Sequence, residues 1–276
     1  MIRGTTRVAA VIGWPVEHSR SPQMFEAAFA ETGLDAVMIP IGVPPESFAT
    51  IITAMRAMRA LGACVTLPHK LAAAALCDEL SPAARAIGAV NCLHISGDRL
   101  VGHNTDCHGF TDSLVVAGLP PAGLRCVLLG AGGAARAVAH GLEAAGAAAV
   151  DVLARSPEDV AWTAARPWTP DELRAAFPRA DLLIDATPVG LAETAADLAA
   201  VDALPLDALR AGASVATLVY HRRTRLIDRA AERGHPTLDG RGMLVHQGAR
   251  AFAIFTGAPP PVAAMQRALD GALAAH

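Results

Sequence analysis

Residues 128–138 read LLGAGGAARAV. They close the apolar run RCVLL (125–129) and open an alanine-rich stretch, GAGGAARAVAHGLEAAG (130–146). A strand running through glycines into a helix is the context in which such a motif carries weight. Gly130 permits a tight turn, Gly132 lets the backbone approach a pyrophosphate, and Ala135 takes the third small position, where the helix packs on the strand. The turn from Gly130 through Ala131, Gly132 and Gly133 to Ala134 then leads into a helix start whose free N–H groups suit phosphate. A loop that only connects two elements is the plainer reading, and the strand–turn–helix context favours a dinucleotide.

The end of the next strand selects the dinucleotide. VDVLA (150–154) ends in Arg155-Ser156. Asp151 lies about 20 residues past the first glycine, but at the start of that strand, away from a ribose. Arg155 puts a cation where a 2′-phosphate would sit, so NADP is expected, with NAD as the alternative.

Outward from this turn, short β-rich runs alternate with helical ones, the pattern of an α/β chain with mainly parallel sheets. RVAAVIG (7–13), AVMIPIG (36–42) and ACVTLP (63–68) read as strands. SPQMFEAAFAETG (21–33) reads as a helix with Ser21 as N-cap, Pro22 in first position and Gly33 at its end. PESFATIITAMRAMRALG (45–62) and LAAAALCDEL (71–80) read as two more helices. ADLLIDATPVG and ASVATLVY are further strands beyond the glycine turn. The segment between Arg155 and Asp181, with Trp162, Pro167, Trp168 and Pro170, is short and carries little helix signal. A boundary is expected within 108–123, giving residues 1–107 plus 240–276 as one domain and 108–239 as the other.

Composition narrows the class. A net charge of −3 offers no footprint for nucleic acid, and no apolar run has the ~18 residues of a membrane span. The N-terminal apolar run stops at Pro15 without a small-residue cleavage site and reads as a strand rather than a signal peptide. Five cysteines, scattered and without a CxxC pair, argue against a disulfide framework and a zinc ribbon. A reducing cytoplasm is the expected setting, with a small-molecule partner and neither nucleic acid nor membrane. The chain is expected as a monomer or homodimer.

GHNTDCHGF (102–110) gathers His103, Asp106, Cys107 and His108, all metal-ligand types. His103 and Asp106 are three apart, but Cys107 and His108 would point elsewhere on a helix or a turn, and no second Cys or His cluster lies nearby in sequence. No metal is expected.

Across nearly the whole chain, GWPVEHSRSP, VTLPHK, GAVN, GHNTD, LLGAGGAAR, ATPVG and GRGMLVHQGARAFAIFTG, in this order and spacing, resemble the shikimate dehydrogenase family. The resemblance implies an α/β substrate domain, a Rossmann domain binding NADP with a cleft between them, and a C-terminal helix returning to the first domain. It implies reduction of 3-dehydroshikimate to shikimate, a step of aromatic amino-acid biosynthesis on the way to chorismate. By the same resemblance Ser19 and Ser21 hold the substrate carboxylate, and Thr66 and Asn91 the ring hydroxyls. Lys70 and Asp106 are the acid–base pair, Asp106 also accepting from a substrate hydroxyl, while Tyr220 and Gln247 close over the substrate. The glycine turn, Arg155, Ser156, Leu218 and Gly240 match the cofactor positions. Taken singly, each has a plainer use: Ser21 as a cap, Asn91 as a turn former, Tyr220 in packing, Gln247 in solvent.

The chain departs from the family pattern at Cys64 and Asp185, where the family usually has Asn. It departs also at Cys92, where the family has Thr, and at Cys107, Ala154 and Thr217. Cys64 replaces a polar group at the implied substrate pocket with an apolar one. A quinate or quinate/shikimate dehydrogenase is therefore the nearest alternative, and a non-catalytic sensor of a cyclohexane carboxylate a more distant one. A sensor has no chemical need for both Lys70 and Asp106.

Overall fold

The computed structural model describes residues 2–192 and 194–274. Its chain falls into two compact units, Met1–Gly109 with Val245–His276, and Phe110–Leu244.

In the first unit the chain runs β1 (Arg7–Gly13), α1 (Ser21–Thr32), β2 (Ala36–Gly42), α2 (Phe48–Ala57), β3 (Gly62–Val65) and α3 (Lys70–Leu76). It continues with β4 (Glu79–Leu80), α4 (Pro82–Ile87), β5 (Cys92–Ser96) and β6 (Arg99–His103). The sheet order is β2-β1-β3-β5-β6-β4. β1 pairs in parallel with β2 and β3, and β4 with β6, whereas β5 runs antiparallel to both β3 and β6. One face buries Ile12, Phe48, Met55, Val65 and Leu93 in a shared core.

α5 (Asp106–Val116) carries the chain into the second unit. There follow β7 (Arg125–Leu129), α6 (Gly133–Ala144), β8 (Ala149–Ala154), β9 (Arg166–Pro167), α7 (Pro170–Ala176) and β10 (Leu182–Asp185). After them come α8 (Ala195–Asp202), β11 (Ser214–Thr217), α9 (Arg225–Glu232) and β12 (Thr237–Leu238). All pairings are parallel in the order β12-β11-β10-β7-β8-β9. This is the 3-2-1-4-5-6 order of the Rossmann fold, with its switch point between β7 and β10. Helices α10 (Arg241–Thr256) and α11 (Val262–Ala274) complete the chain.

Three local expectations are corrected. Ser21 is the first residue of α1 and Arg20 its N-cap; the nearby oxygen is that of Ser19, which accepts from Ser21 N–H at 3.3 Å. The helix expected to reach Gly62 ends at Ala57, because Arg59 takes φ +52 and turns the chain into β3. The helix expected to reach Leu80 ends at Leu76, because Asp78 is claimed by β6. Its carboxylate accepts from Leu100 N–H at 2.6 Å, and its own N–H donates to Leu100 C=O at 2.9 Å.

Candidate active site

Two elements of the first unit present the acid–base candidates. Past β3, Thr66 to His69 form a turn closed by His69 N–H donating to Thr66 C=O at 3.0 Å, and Lys70 then opens α3. His69 pins this turn. It is 1% exposed, its Nε2 donates to Val43 C=O at 2.7 Å, and its ring stacks on Phe48 at a centroid distance of 4.5 Å. Asp106 is the first residue of α5, where the helix dipole favours a carboxylate. Lys70 Nζ donates to Asp106 Oδ2 at 2.6 Å. The pair is largely covered, with side-chain exposures of 20% and 10%.

Asn91, just before β5, organises the rest. Its Nδ2 donates to Asp106 Oδ1 at 2.8 Å and to Thr105 Oγ1 at 3.0 Å, and lies 3.4 Å from Gln247 Oε1. Its Oδ1 accepts from Thr105 N–H at 2.6 Å. Asn104 Oδ1 accepts from Asp106 N–H at 3.2 Å, and Asn104 Nδ2 donates to Ala89 C=O at 3.0 Å. Asn91, Asn104, Thr105, Asp106 and Gln247 are all buried. Buried polar groups tied together this way are fixed in place.

Gly109, one turn along α5 from Asp106, explains how Gln247 arrives. A Cβ at Gly109 would sit 2.6 Å from the backbone nitrogen of Gln247, so only glycine allows α5 and α10 to approach this closely. Thr105, Asn104, His69 and Gly109 were not singled out from sequence. The quoted stretch 102–110 contained three of them, but nothing in it signalled their partners.

The other candidates of this unit lie at strand and helix ends. Ser19 and Ser21 stand at the start of α1, and Thr66 directly after β3. A Cβ on Gly13, the last residue of β1, would meet the Thr66 methyl at 2.4 Å. The ligand-type side chains of 103–108 separate: Cys107 is buried with its Sγ 3.3 Å from Asn104 C=O, while His108 is exposed. Cys64 and Cys92 face each other across β3 and β5. Burial, with the Asp106 carboxylate adding to it, pushes the Cys64 thiol up to about 12 and that of Cys92 well up too. Both are neutral, apolar side chains here.

In the second unit, Gly130 turns the chain at φ +99 directly after β7. A Cβ there would stand 3.0 Å from the Thr187 methyl, past the end of β10. Gly132 and Gly133 are exposed, and a Cβ on either would meet nothing within 4 Å. This open turn at the start of α6 fits a pyrophosphate. Ala131 and Ala134 flank the two glycines and are half-buried. Arg155 and Ser156 follow β8 in solvent, and Arg155 forms no ion pair among the described residues. Gly240 is buried against Leu218, whose carbonyl oxygen would be 2.1 Å from a Cβ there. Tyr220, two residues after Leu218, is half-buried and meets the His221 ring edge-on at 5.8 Å.

Asp185, at the end of β10, is 4% exposed, and its Oδ1 accepts from both the N–H and the hydroxyl of Thr187, at 3.0 and 2.6 Å. Burial outweighs these bonds and pushes its carboxyl up to about 6.

The profile of the shikimate dehydrogenase substrate binding domain matches residues 11–93, and that of the shikimate 5′-dehydrogenase C-terminal domain matches residues 240–269. The shikimate dehydrogenase (NADP(+)) of Geobacter metallireducens is 41% identical, with 99% of each chain covered. The chain belongs to the shikimate dehydrogenase family. A shikimate 5-dehydrogenase of the family, from Thermus thermophilus in complex with NADP(H) and shikimate, is 34% identical, with a TM-score of 0.85 over 96% of this chain and 99% of that one. The family fold is also that of the quinate dehydrogenase of Corynebacterium glutamicum in complex with NAD. It is 30% identical, with a TM-score of 0.84 over 96% and 99% of the two chains.

Proposed function

We propose that this chain is an NADP-dependent shikimate dehydrogenase, interconverting 3-dehydroshikimate and shikimate. The observation that carries this is Lys70 held on Asp106 inside a buried polar network, in a chain whose second unit offers an open glycine turn and an exposed Arg155 without an ion pair among the described residues. The first unit takes the substrate and the second the cofactor.

Gly130 to Ala134 and the start of α6 hold the pyrophosphate, Arg155 and Ser156 the 2′-phosphate, and Leu218 and Gly240 border the nicotinamide side. A bound nicotinamide dinucleotide supplies two-electron exchange with the secondary alcohol carbon. Lys70 supplies the accompanying proton. In reduction its ammonium gives a proton to the carbonyl oxygen as that oxygen takes on charge; in oxidation neutral Lys70 takes the hydroxyl proton. Asp106 orients Lys70 through Oδ2 and accepts from a substrate hydroxyl. Asn91 and Thr66 bind ring hydroxyls, Ser19 and Ser21 the carboxylate, and Gln247 and Tyr220 cover the ring. The substrate is a small molecule, and the chain works as a monomer or homodimer in a reducing cytoplasm, which its free cysteines suit.

A second reading, quinate dehydrogenase using NAD, is favoured by one feature, the neutral Cys64 near Asp106. Steady-state oxidation of shikimate and quinate, each with NADP and NAD, separates the two. Turnover of shikimate with NADP, abolished in Lys70→Ala, is the expected result. Preference for quinate with NAD would establish the second reading. Binding without turnover of either would leave a sensor or an unrecognised hydroxy acid.

A further inference from the structure

The segment joining β8 to β9 contains no α-helix; after a single 3-10 turn at Pro157–Asp159 it doubles back over the glycine turn. Trp162 makes the contact. Its indole Nε1–H donates to the Ala131 carbonyl at 3.1 Å, and its half-buried ring packs against the core that α6 shares with the sheet.

A planar trans peptide points its C=O and N–H in opposite directions. The Ala131–Gly132 peptide is trans, the cis bonds being Trp14-Pro15 and Leu67-Pro68. Fixing the Ala131 carbonyl on the indole therefore aims the Gly132 N–H the other way, out of the turn. That N–H makes no hydrogen bond among the described residues, and the space over Gly132 is open.

We infer that Trp162 is a positioning residue for the dinucleotide: its indole N–H locks the Ala131–Gly132 peptide so that Gly132 N–H is already aimed at the pyrophosphate. The inference rests on the dinucleotide reading above. It differs from a packing role in a specific way. A packing role needs the ring, whereas locking the peptide needs the N–H. The pyrophosphate is common to NADP and NAD, so the effect falls on both alike.

The test is equilibrium titration of NADPH and of NADH, followed by nicotinamide fluorescence, on the wild type, Trp162→Phe and Trp162→His. Histidine keeps a ring N–H two bonds from Cγ, as tryptophan does. Loss of one net hydrogen bond corresponds to about fivefold weaker binding. Trp162→Phe is expected to weaken both dinucleotides by about that factor, with kcat and the KM for shikimate within about twofold of wild type, and Trp162→His to restore much of the loss. Unchanged or tighter binding by Trp162→Phe would overturn the inference. So would a loss confined to NADPH, which would place Trp162 on the Arg155 side instead. Should Trp162→Phe lose its cooperative melt, indole emission of the wild type compared with Trp162→His, which keeps Trp14 and Trp168, decides: the same response of both to saturating NADP is the overturning result. A wild type that binds neither dinucleotide would bring down the dinucleotide reading itself.

Discussion

Asn91 and Gln247 stand 156 positions apart in the chain, yet Asn91 Nδ2 lies 3.4 Å from Gln247 Oε1 and 2.8 Å from Asp106 Oδ1. Asn91→Ala removes the acceptor of Thr105 N–H and a donor to the Asp106 carboxylate at one stroke. Urea unfolding is expected to show a loss of about 1–3 kcal/mol, with activity falling as Asp106 loses its second anchor. Stability within about 0.5 kcal/mol of wild type would mean that water replaces these bonds readily.

The Lys70–Asp106 bond predicts the direction of the pH profile. Oxidation needs neutral Lys70 and reduction the ammonium. The oxidation rate, with chemistry limiting, is thus expected to climb as pH rises. Asp106→Asn is expected to lower kcat by about a hundredfold or more while leaving cofactor binding near wild type. An oxidation rate that does not respond to pH, with chemistry limiting, would remove Lys70 from the proton transfer.

Asp185 makes a separate prediction, on stability. Its carboxyl titrates at about 6 when folded against 3.8 ordinarily, because burial penalises the charge. A pKa raised on folding gives stability that is complete below the unfolded value and lost as pH rises through the folded one. The shift corresponds to about 3 kcal/mol lost between about pH 4 and about pH 6. Asp185→Asn keeps an oxygen for Thr187 and carries no charge. It is expected to unfold at higher urea than wild type at about pH 8 and near the wild-type value at about pH 4. Equal stabilities at the higher pH would show the carboxylate to be solvated in the folded chain.

Gly109→Ala tests the helix approach. The added methyl would meet the Gln247 backbone at 2.6 Å, so α10 must shift outward. A stability loss of about 1–3 kcal/mol is expected, together with a raised KM for the ring substrate and an unchanged KM for the cofactor. Unaltered kinetics would show that Gln247 is not needed over the substrate.

The second unit was legible because its information is local. LLGAGGAARAV carries its strand, its left-handed Gly130 and its helix start in eleven consecutive letters, and Arg155 follows on the next strand. Lys70 and Asp106 were found by resemblance, and Asn91 with them. What could not be read is the means by which they are held. His69 depends on a carbonyl at Val43 and a ring at Phe48, and Gly109 on a helix more than a hundred residues later. The missed end of α3 has the same origin. LAAAAL has good helical propensity, but Cys77 and Asp78 are among the weaker helix formers, and Asp78 exchanges hydrogen bonds with Leu100, so pairing with β6 takes over beyond Leu76. Trp162 looked like a helix breaker from its neighbours, and only the 3.1 Å bond to Ala131 assigns it a use.

The first unit is built from the two ends of the chain, and its polar centre takes Gln247 from the far one. During synthesis the strands β1 to β6 leave the ribosome well over a hundred residues before α10 does. Throughout that interval Gly109 faces no partner helix, and Asn91 and Thr105 lack one of their acceptors. The glycine-turn unit, contiguous in sequence, can close meanwhile. The unit that begins the chain is thus the one that finishes last, and a chain released short of α10 would hold Lys70 and Asp106 in a network whose Asn91 and Thr105 lack Gln247.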